Sequence, residues 1–442
     1  RYEGAQAATI NSQFVGSGGA KAGWKIFSIP FELGSNNSIP AIFDEAITEG
    51  KKAKVDYAFL TIQGANATDW TQYPDFSTIS RGQGYFSNIK SPVAIKIPDA
   101  TAPTNSRDNL FAMNLNKGWN MVGNPYLTQI SWADVVALGG LTSTAPEIVK
   151  YNGSGYTNSV QTLQAWEGAL VFANNAATNV KIPFFGQTVE GGRTKGYQDL
   201  GNDIDADEWM VKLNLQNGEH RYELGAIGMA LDADASYDQY DGVTPPRMFD
   251  YLEMNFGHTE HFAKRFTRDI VPTQTTRTWD FSVDSNLEGE ATLTWDNSAL
   301  SSATRDIFLL DVSRQTLVNM KETGSYSFNP KESVNFKVYF GENLSIAPEH
   351  VQLGKAYPNP TSGTTTVAFS LPEAGGTDQL VTLDIVDAMG RTAGTISHGR
   401  FNPGYHELAF DAKGLNSGMY AYRLTVQGKQ GKTSVVNKLI IK

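Results

Sequence analysis

Runs of alternating apolar residues, broken roughly every ten positions by a turn signal, recur along this chain and commit it to β-structure. Toward the C-terminus Val367, Phe369 and Leu371 share one face of an extended segment, as do Val381, Leu383 and Ile385. Leu408 with Phe410 repeats the pattern, and so do Tyr420, Tyr422, Leu424 and Val426. A period of two puts such residues on one side of a strand. Gly390, Gly404, Gly414 and Gly418 punctuate the runs. Composition agrees: 42 glycines in 442 residues suit short strands and many turns, whereas helices would draw on Ala, Leu, Glu and Lys. Only residues 40–53 and 131–138 read as helices, the second with Ser131 as N-cap and Asp134 three positions on. The expected fold is all-β: tandem β-rich repeat units, then an antiparallel β-sandwich, then a terminal Ig-like sandwich.

The first half contains an internal duplication. Gly23-Trp24-Lys25-Ile26-Phe27-Ser28-Ile29-Pro30 matches Gly118-Trp119-Asn120-Met121-Val122-Gly123-Asn124-Pro125. Further on, Gly84-Tyr85-Phe86 leads to Ile95-Lys96-Ile97-Pro98, and Gly168-Ala169-Leu170-Val171-Phe172 leads to Val180-Lys181-Ile182-Pro183. Anchors in the same order define two copies of one unit. Each opens with a strand whose tryptophan buries a large apolar surface and whose proline ends it. The domains expected are 1–110 and 111–192 for the repeats, 193–346 for the sandwich and 347–442 for the terminal unit. The aromatic residues of the repeats are core, or, where exposed, stack on glycans; Trp70, Tyr73, Tyr85, Tyr151 and Tyr156 are the candidates for the second role.

In 193–346 the strand candidates are Trp209 to Leu215, Arg221 to Met229, Arg277 to Val283, Ala291 to Trp295, Asp306 to Val312, Ser325 to Phe328 and Asn335 to Phe340. An acidic segment there sets oxygen ligands at every second position, Asp232, Asp234, Ser236 and Asp238, a spacing able to wrap a calcium ion. It departs from an EF-hand loop, lacking glycine at the sixth place and glutamate at the twelfth. A second cluster, Asp203, Asp205, Asp207 and Glu208, is similarly spaced. The alternative for both is aspartates that cap turns.

Several chemistries are excluded. With no cysteine there is no thiolate metal site or cysteine nucleophile. A net charge of −10 argues against nucleic acid as partner. No apolar run is long enough to span a bilayer. Six histidines are scattered, and His258 and His261, three apart, lack the glutamate of a zinc-protease motif. No nucleophile elbow, Walker loop or distinctive carboxylate pair is present, so no enzyme is expected within this chain.

The C-terminal motifs carry a family resemblance. Tyr357-Pro358-Asn359-Pro360 precedes Thr361-Ser362-Gly363, then comes Ile385-Val386-Asp387-Ala388-Met389-Gly390-Arg391, then Gly418-Met419-Tyr420-Ala421-Tyr422-Arg423-Leu424 and a basic strand from Lys432 to Lys442. Read physically, the two prolines stiffen a linker that turns into the first strand of a new domain. Together, in this order, the segments resemble the type A C-terminal sorting domain of the type IX secretion system of Bacteroidetes. The resemblance implies cargo that passes through the periplasm to the cell surface or medium, in a setting of surface attachment, adhesion or gliding motility. Its implied partners are the large translocon barrel, an outer-membrane β-barrel shuttle protein, and a sortase that cuts before Tyr357.

Recognition is expected at Tyr357, Pro358, Asn359, Pro360, Gly390, Gly418, Tyr420, Lys432, Lys438 and Lys442. The last strand, Val435 to Ile441, would offer an edge to the shuttle, with Lys429, Lys432, Lys438 and Lys442 meeting an acidic surface. The sequence begins at Arg1 without a signal peptide, so we expect the C-terminal part of a longer surface protein, any enzyme lying upstream. The alternative role is an adhesin or carbohydrate-binding module.

Overall fold

The computed structural model describes residues 8–10, 24–44, 47, 51, 53, 56–62, 70–89, 93–95, 97, 100–103, 110–141, 147–184, 200–238, 240–248, 250–258, 261–330, 333–429 and 431–442. Gly23, Lys96 and Pro98 of the repeat motifs lie outside the described residues. The chain is nearly all β.

The two repeat units share one topology. In the first, the strand Lys25–Phe27 pairs with Tyr85–Ile89, which pairs with Tyr57–Thr61, which pairs with Thr71–Gln72. In the second, Gly118–Gly123 pairs with Gly168–Ala173, then Ile148–Tyr151, then Tyr156–Thr157. Each also has a two-stranded flank, Ala8–Ile10 with Val93–Ile95 and Phe111–Leu115 with Ala177–Ile182.

The copies meet about a pseudo-two-fold axis. Phe27 bridges Glu167 and, at the equivalent place, Val122 bridges Gln83. Ser28 donates its N–H to Trp166 at 2.9 Å, as Gly123 does to Gly82 at 2.9 Å. The two accepting residues share the same left-handed backbone, φ 77° at Gly82 and 71° at Trp166. For tryptophan this is an unfavourable conformation that only the surrounding contacts sustain. Gly84 lies so close to the partner unit that a Cβ there would sit 2.6 Å from the Val122 carbonyl oxygen.

Both helices are shorter or differently capped than the sequence suggests. The first covers Ile39–Ile42, not 40–53. Ser38 caps it, and Phe43 leaves helical geometry to pack on Phe59, ring centroids 4.7 Å apart. The second covers Trp132–Leu138, with Ser131 in the N-cap place but making no side-chain cap bond. The Trp132 N–H is instead taken by the Gln161 carbonyl at 2.9 Å, so a neighbouring segment does the capping.

Residues 200–341 form a sandwich of a five-stranded and a six-stranded sheet. Four of its strands, Leu252–Gly257, Arg265–Phe266, Arg268–Pro272 and Thr316–Asn319, fall where the alternation is too short or too apolar to read. One pair departs from the antiparallel expectation: Arg268–Pro272 runs parallel to His220–Ala230. The hairpin Leu252–Gly257 and Arg265–Phe266 belongs to the other sheet, so the chain crosses over and returns in the same sense. Trp209, Trp279 and Phe340 form its aromatic centre, with centroids 4.9–6.3 Å apart.

The terminal domain is an antiparallel sandwich. One sheet holds Gln352–Leu353, Thr364–Leu371 and Gly404–Asp411; the other orders Thr392–Phe401, Gln379–Val386, Gly418–Gly428 and Gly431–Ile441. Val367, Phe369, Leu371, Val381, Leu383 and Ile385 are buried with no exposed surface, the faces their alternation assigns. The domain seats directly on the sandwich before it. Lys355 donates its N–H to Ser313 at 2.9 Å, and a Cβ on Gly354 would lie 1.7 Å from the Arg314 carbonyl oxygen.

Candidate functional site

Tyr357-Pro358-Asn359-Pro360 is part of the terminal domain, not a linker before it. Leu353 is already in its sheet and core, four residues earlier. Tyr357 exchanges backbone bonds with Thr366 at 2.8 and 2.9 Å, and Pro358 accepts from the Thr365 hydroxyl at 2.8 Å. The peptide bonds preceding Pro358 and Pro360 are cis. The Asn359 side chain then acts as a short piece of strand. Its amide donates to the Lys438 carbonyl at 2.9 Å and accepts from the Ile440 N–H at 2.9 Å. Thr361 continues the ladder, donating to the Ile440 carbonyl at 2.9 Å and accepting from Lys442 at 2.8 Å.

This clamp alters the edge expected for strand addition. The half of the last strand from Lys438 to Lys442 is occupied by the chain itself. Ladder alternation points the backbone groups of Lys432, Ser434 and Val436 to the same side, beyond the reach of the clamp. Among the described residues the free edge is therefore Lys432 to Val436, not Val435 to Ile441.

A second lock lies beneath. Tyr422 is fully buried; its hydroxyl donates to the Gly354 carbonyl at 2.6 Å and accepts from the Ala356 N–H at 2.8 Å. Burial pushes its hydroxyl up to about 12. Asn437 adds bonds to the carbonyls of Leu353 at 2.8 Å and Gly354 at 3.1 Å. Tyr422 and Asn437 were not among the residues expected to matter; the alternation through Tyr420 placed Tyr422 inward but gave no hint of its partners. Tyr420 itself is only partly buried.

Pro358, Asn359, Pro360, Gly418, Lys438 and Lys442 gather at one end of the sandwich, since Gly418 pairs with Ile441. Gly390 joins them: its turn follows Val386, which pairs with Ala421 and through it with Lys438. There φ is 78°, and the Asp387 carboxylate accepts from Met389 and Arg391, both at 2.9 Å. Those bonds hold Asp387 below the usual carboxylate range. Lys432 stands apart, six residues or roughly 20 Å along the strand from Lys438. Tyr357 faces the preceding sandwich, its ring 3.4 Å under the Arg314 guanidinium and its hydroxyl on Glu290. On the outer face Met419 and Val436 are exposed at 62% and 53%, with Lys432 and Lys438 exposed beside them. Residues 342–351, apart from the buried Pro348, are more open than the buried Leu353, Gly354 and Ala356.

The acidic segments are turned onto backbone. Asp234 accepts from Ser236, and Asp238 from Asp234 and Tyr240, while Asp232 accepts from the Tyr240 hydroxyl at 2.5 Å. Gln239 of this loop lies outside the described residues. Asp205 accepts from Thr304 and Arg305; against the upward push of burial, these bonds hold its carboxyl low. Among the described residues, no three His, Asp or Glu side chains converge to hold a metal ion.

Of the aromatic candidates, Tyr85 is buried, only 3% exposed, and Tyr73 packs on Tyr57 and Phe59 in the first repeat's core. Tyr151 and Tyr156 pack on each other and line a cavity of about 30 Å³, room for a water but not a sugar. Trp70 borders a larger cleft.

No curated protein matches this chain. Among solved structures it is similar to dimeric latent PorU from Porphyromonas gingivalis, with TM-score 0.19, 15% identity, and 54% of this chain against 30% of that one. It is similar to a β-glucuronidase from Parabacteroides merdae at TM-score 0.17 and 13% identity, covering 35% of this chain and spanning only 28% of that one. A tetra-tandem repeat from a large adhesion protein matches at TM-score 0.17 and 10% identity, over 87% of this chain and 92% of that one. Scores this low establish no shared architecture. The family comparison is specific: residues 355–442 match the secretion system C-terminal sorting domain. The terminal domain of this chain is a C-terminal sorting domain of the type IX secretion system.

Proposed function

We propose that this chain is the non-catalytic C-terminal region of type IX cargo, its last domain serving as the signal for outer-membrane translocation and for surface attachment or release. The observation that carries the reading is the match over 355–442 at the very end of the chain. In this reading a β-barrel shuttle takes the folded domain after it leaves the translocon barrel. The shuttle pairs with the free edge from Lys432 to Val436 and covers the outer face carrying Met419 and Val436. Lys432 and Lys438 speed the encounter with an acidic partner more than they tighten the complex. A sortase would cut within 342–351, where the chain is open.

The test places a Sec signal before the full chain in a type IX-competent bacterium. Surface or medium localisation that disappears on deleting the translocon supports the reading. Periplasmic retention in the competent strain defeats it.

A further inference from the structure

One feature outside the sorting domain is built like a ligand site. A cleft of about 600 Å³ opens where the repeat units meet the following sandwich. Its walls are aromatic: Trp70, Trp119, Phe172 and Phe262. Trp119 meets Phe172 edge-on at 5.3 Å, and Phe172 stacks on Phe262 at 5.6 Å and 21°. Phe262 is nevertheless 49% exposed, a large ring left facing the opening. Trp70 is held by a 2.9 Å bond from its indole N–H to the Arg247 carbonyl.

Among the described residues the charge lining the cleft is of one sign. Lys117 and Lys264 are exposed along it, with Lys117 Nζ 4.1 Å from the Phe262 ring centre. Arg247 and Arg265 also line it, both tethered to Glu253, whose carboxylate lies outside the lining. Among the described residues no Asp or Glu lines the cleft, in a chain whose net charge is −10. A cationic concavity on an acidic protein focuses its field on an anion. The volume and the position between domains are those of small-ligand sites.

We propose that this cleft binds an acidic oligosaccharide. A pyranose ring presents a flat C–H face whose partial positive charge suits the negative face of an aromatic ring. A carboxylate or sulfate on the same sugar forms charge-assisted bonds with lysine. An acidic peptide shares the charge but lacks the rigid C–H face that would replace the Lys117 ammonium over Phe262 as that ammonium turns to the anionic group. This function stands independently of export.

The test titrates the full chain with hexagalacturonate and follows tryptophan fluorescence, with calorimetry alongside. Cellohexaose and hexaglutamate serve as the neutral and peptide comparisons. Saturable binding is expected, weakening with salt. It should fall about tenfold or more in Phe262→Ala and in the Lys117→Gln/Lys264→Gln double variant, a loss of about 1.4 kcal/mol per decade. Both variants change exposed groups, so an unchanged Tm verifies folding. Absence of saturation, undiminished binding by the folded variants, or equal binding of cellohexaose or hexaglutamate would overturn the proposal.

Discussion

Tyr422 shows how a single side chain ties the sorting domain together. Its hydroxyl donates to the Gly354 carbonyl, which Asn437 also reaches, and accepts from Ala356, so removal strands the buried Ala356 N–H. Tyr422→Phe should lower stability by about 1–3 kcal/mol, as read by chemical denaturation. An unchanged midpoint would mean that the backbone finds other partners. Asp241, at the joint between the acidic loop and the sandwich, makes a pH prediction. It is buried, and burial first, then the charges of Asp238 and Asp269, push its carboxyl up to about 8. Unfolded, the same group titrates at about 4. Between those values the folded state holds the extra proton, so the contribution is full below pH 4 and is lost as pH rises through 8. Stability of the wild type should fall over that window relative to Asp241→Asn. Parallel pH profiles for the two would refute the shift.

At the scale of elements, the joint between the last two domains depends on a glycine. Gly354 presses its backbone against Arg314, and a Cβ there would sit 1.7 Å from a backbone oxygen that cannot easily move. Gly354→Ala should cost about 1–3 kcal/mol and loosen the joint. Limited proteolysis would then cut within 342–351 faster than in the wild type, followed by mass spectrometry. Equal rates would show that the contact is not what protects the segment. The repeat units make the complementary point. Their matching Gly-Trp motifs were legible, and the identical strand order follows from them. Their reciprocal bonds, Ser28 to Trp166 and Gly123 to Gly82, were not, because these join residues more than forty positions apart with no local pattern. The parallel strand Arg268–Pro272 was missed for a similar reason: its run is short and buried on both sides, so no alternation marks it.

For the whole molecule, the clamp on the last strand links folding to export. Removing Lys432 to Lys442 would take away one strand of a four-stranded sheet and free Asn359 and Thr361. Such a deletion should leave the chain in the periplasm, where Asn359→Ala, losing two bonds at an exposed edge, should weaken export without abolishing it. Fractionation with surface proteolysis measures both, and normal display of the deletion would sink the assignment of this strand to recognition. The double variant Lys432→Gln/Lys438→Gln keeps the sheet and tests charge alone.

The sequence by itself determined the β class, the duplication, the inward faces of the terminal strands and the identity of the sorting domain. These rest on local periodicity and contiguous motifs, which strand geometry reads directly. Tertiary structure alone decided that Tyr357-Pro358-Asn359-Pro360 closes the last strand rather than linking domains, that half of that edge is taken, and that Trp70, Trp119 and Phe262 face one cleft. Edges and clefts are made by residues distant in the chain. Their positions follow from how packed sheets meet, a property that no single segment carries.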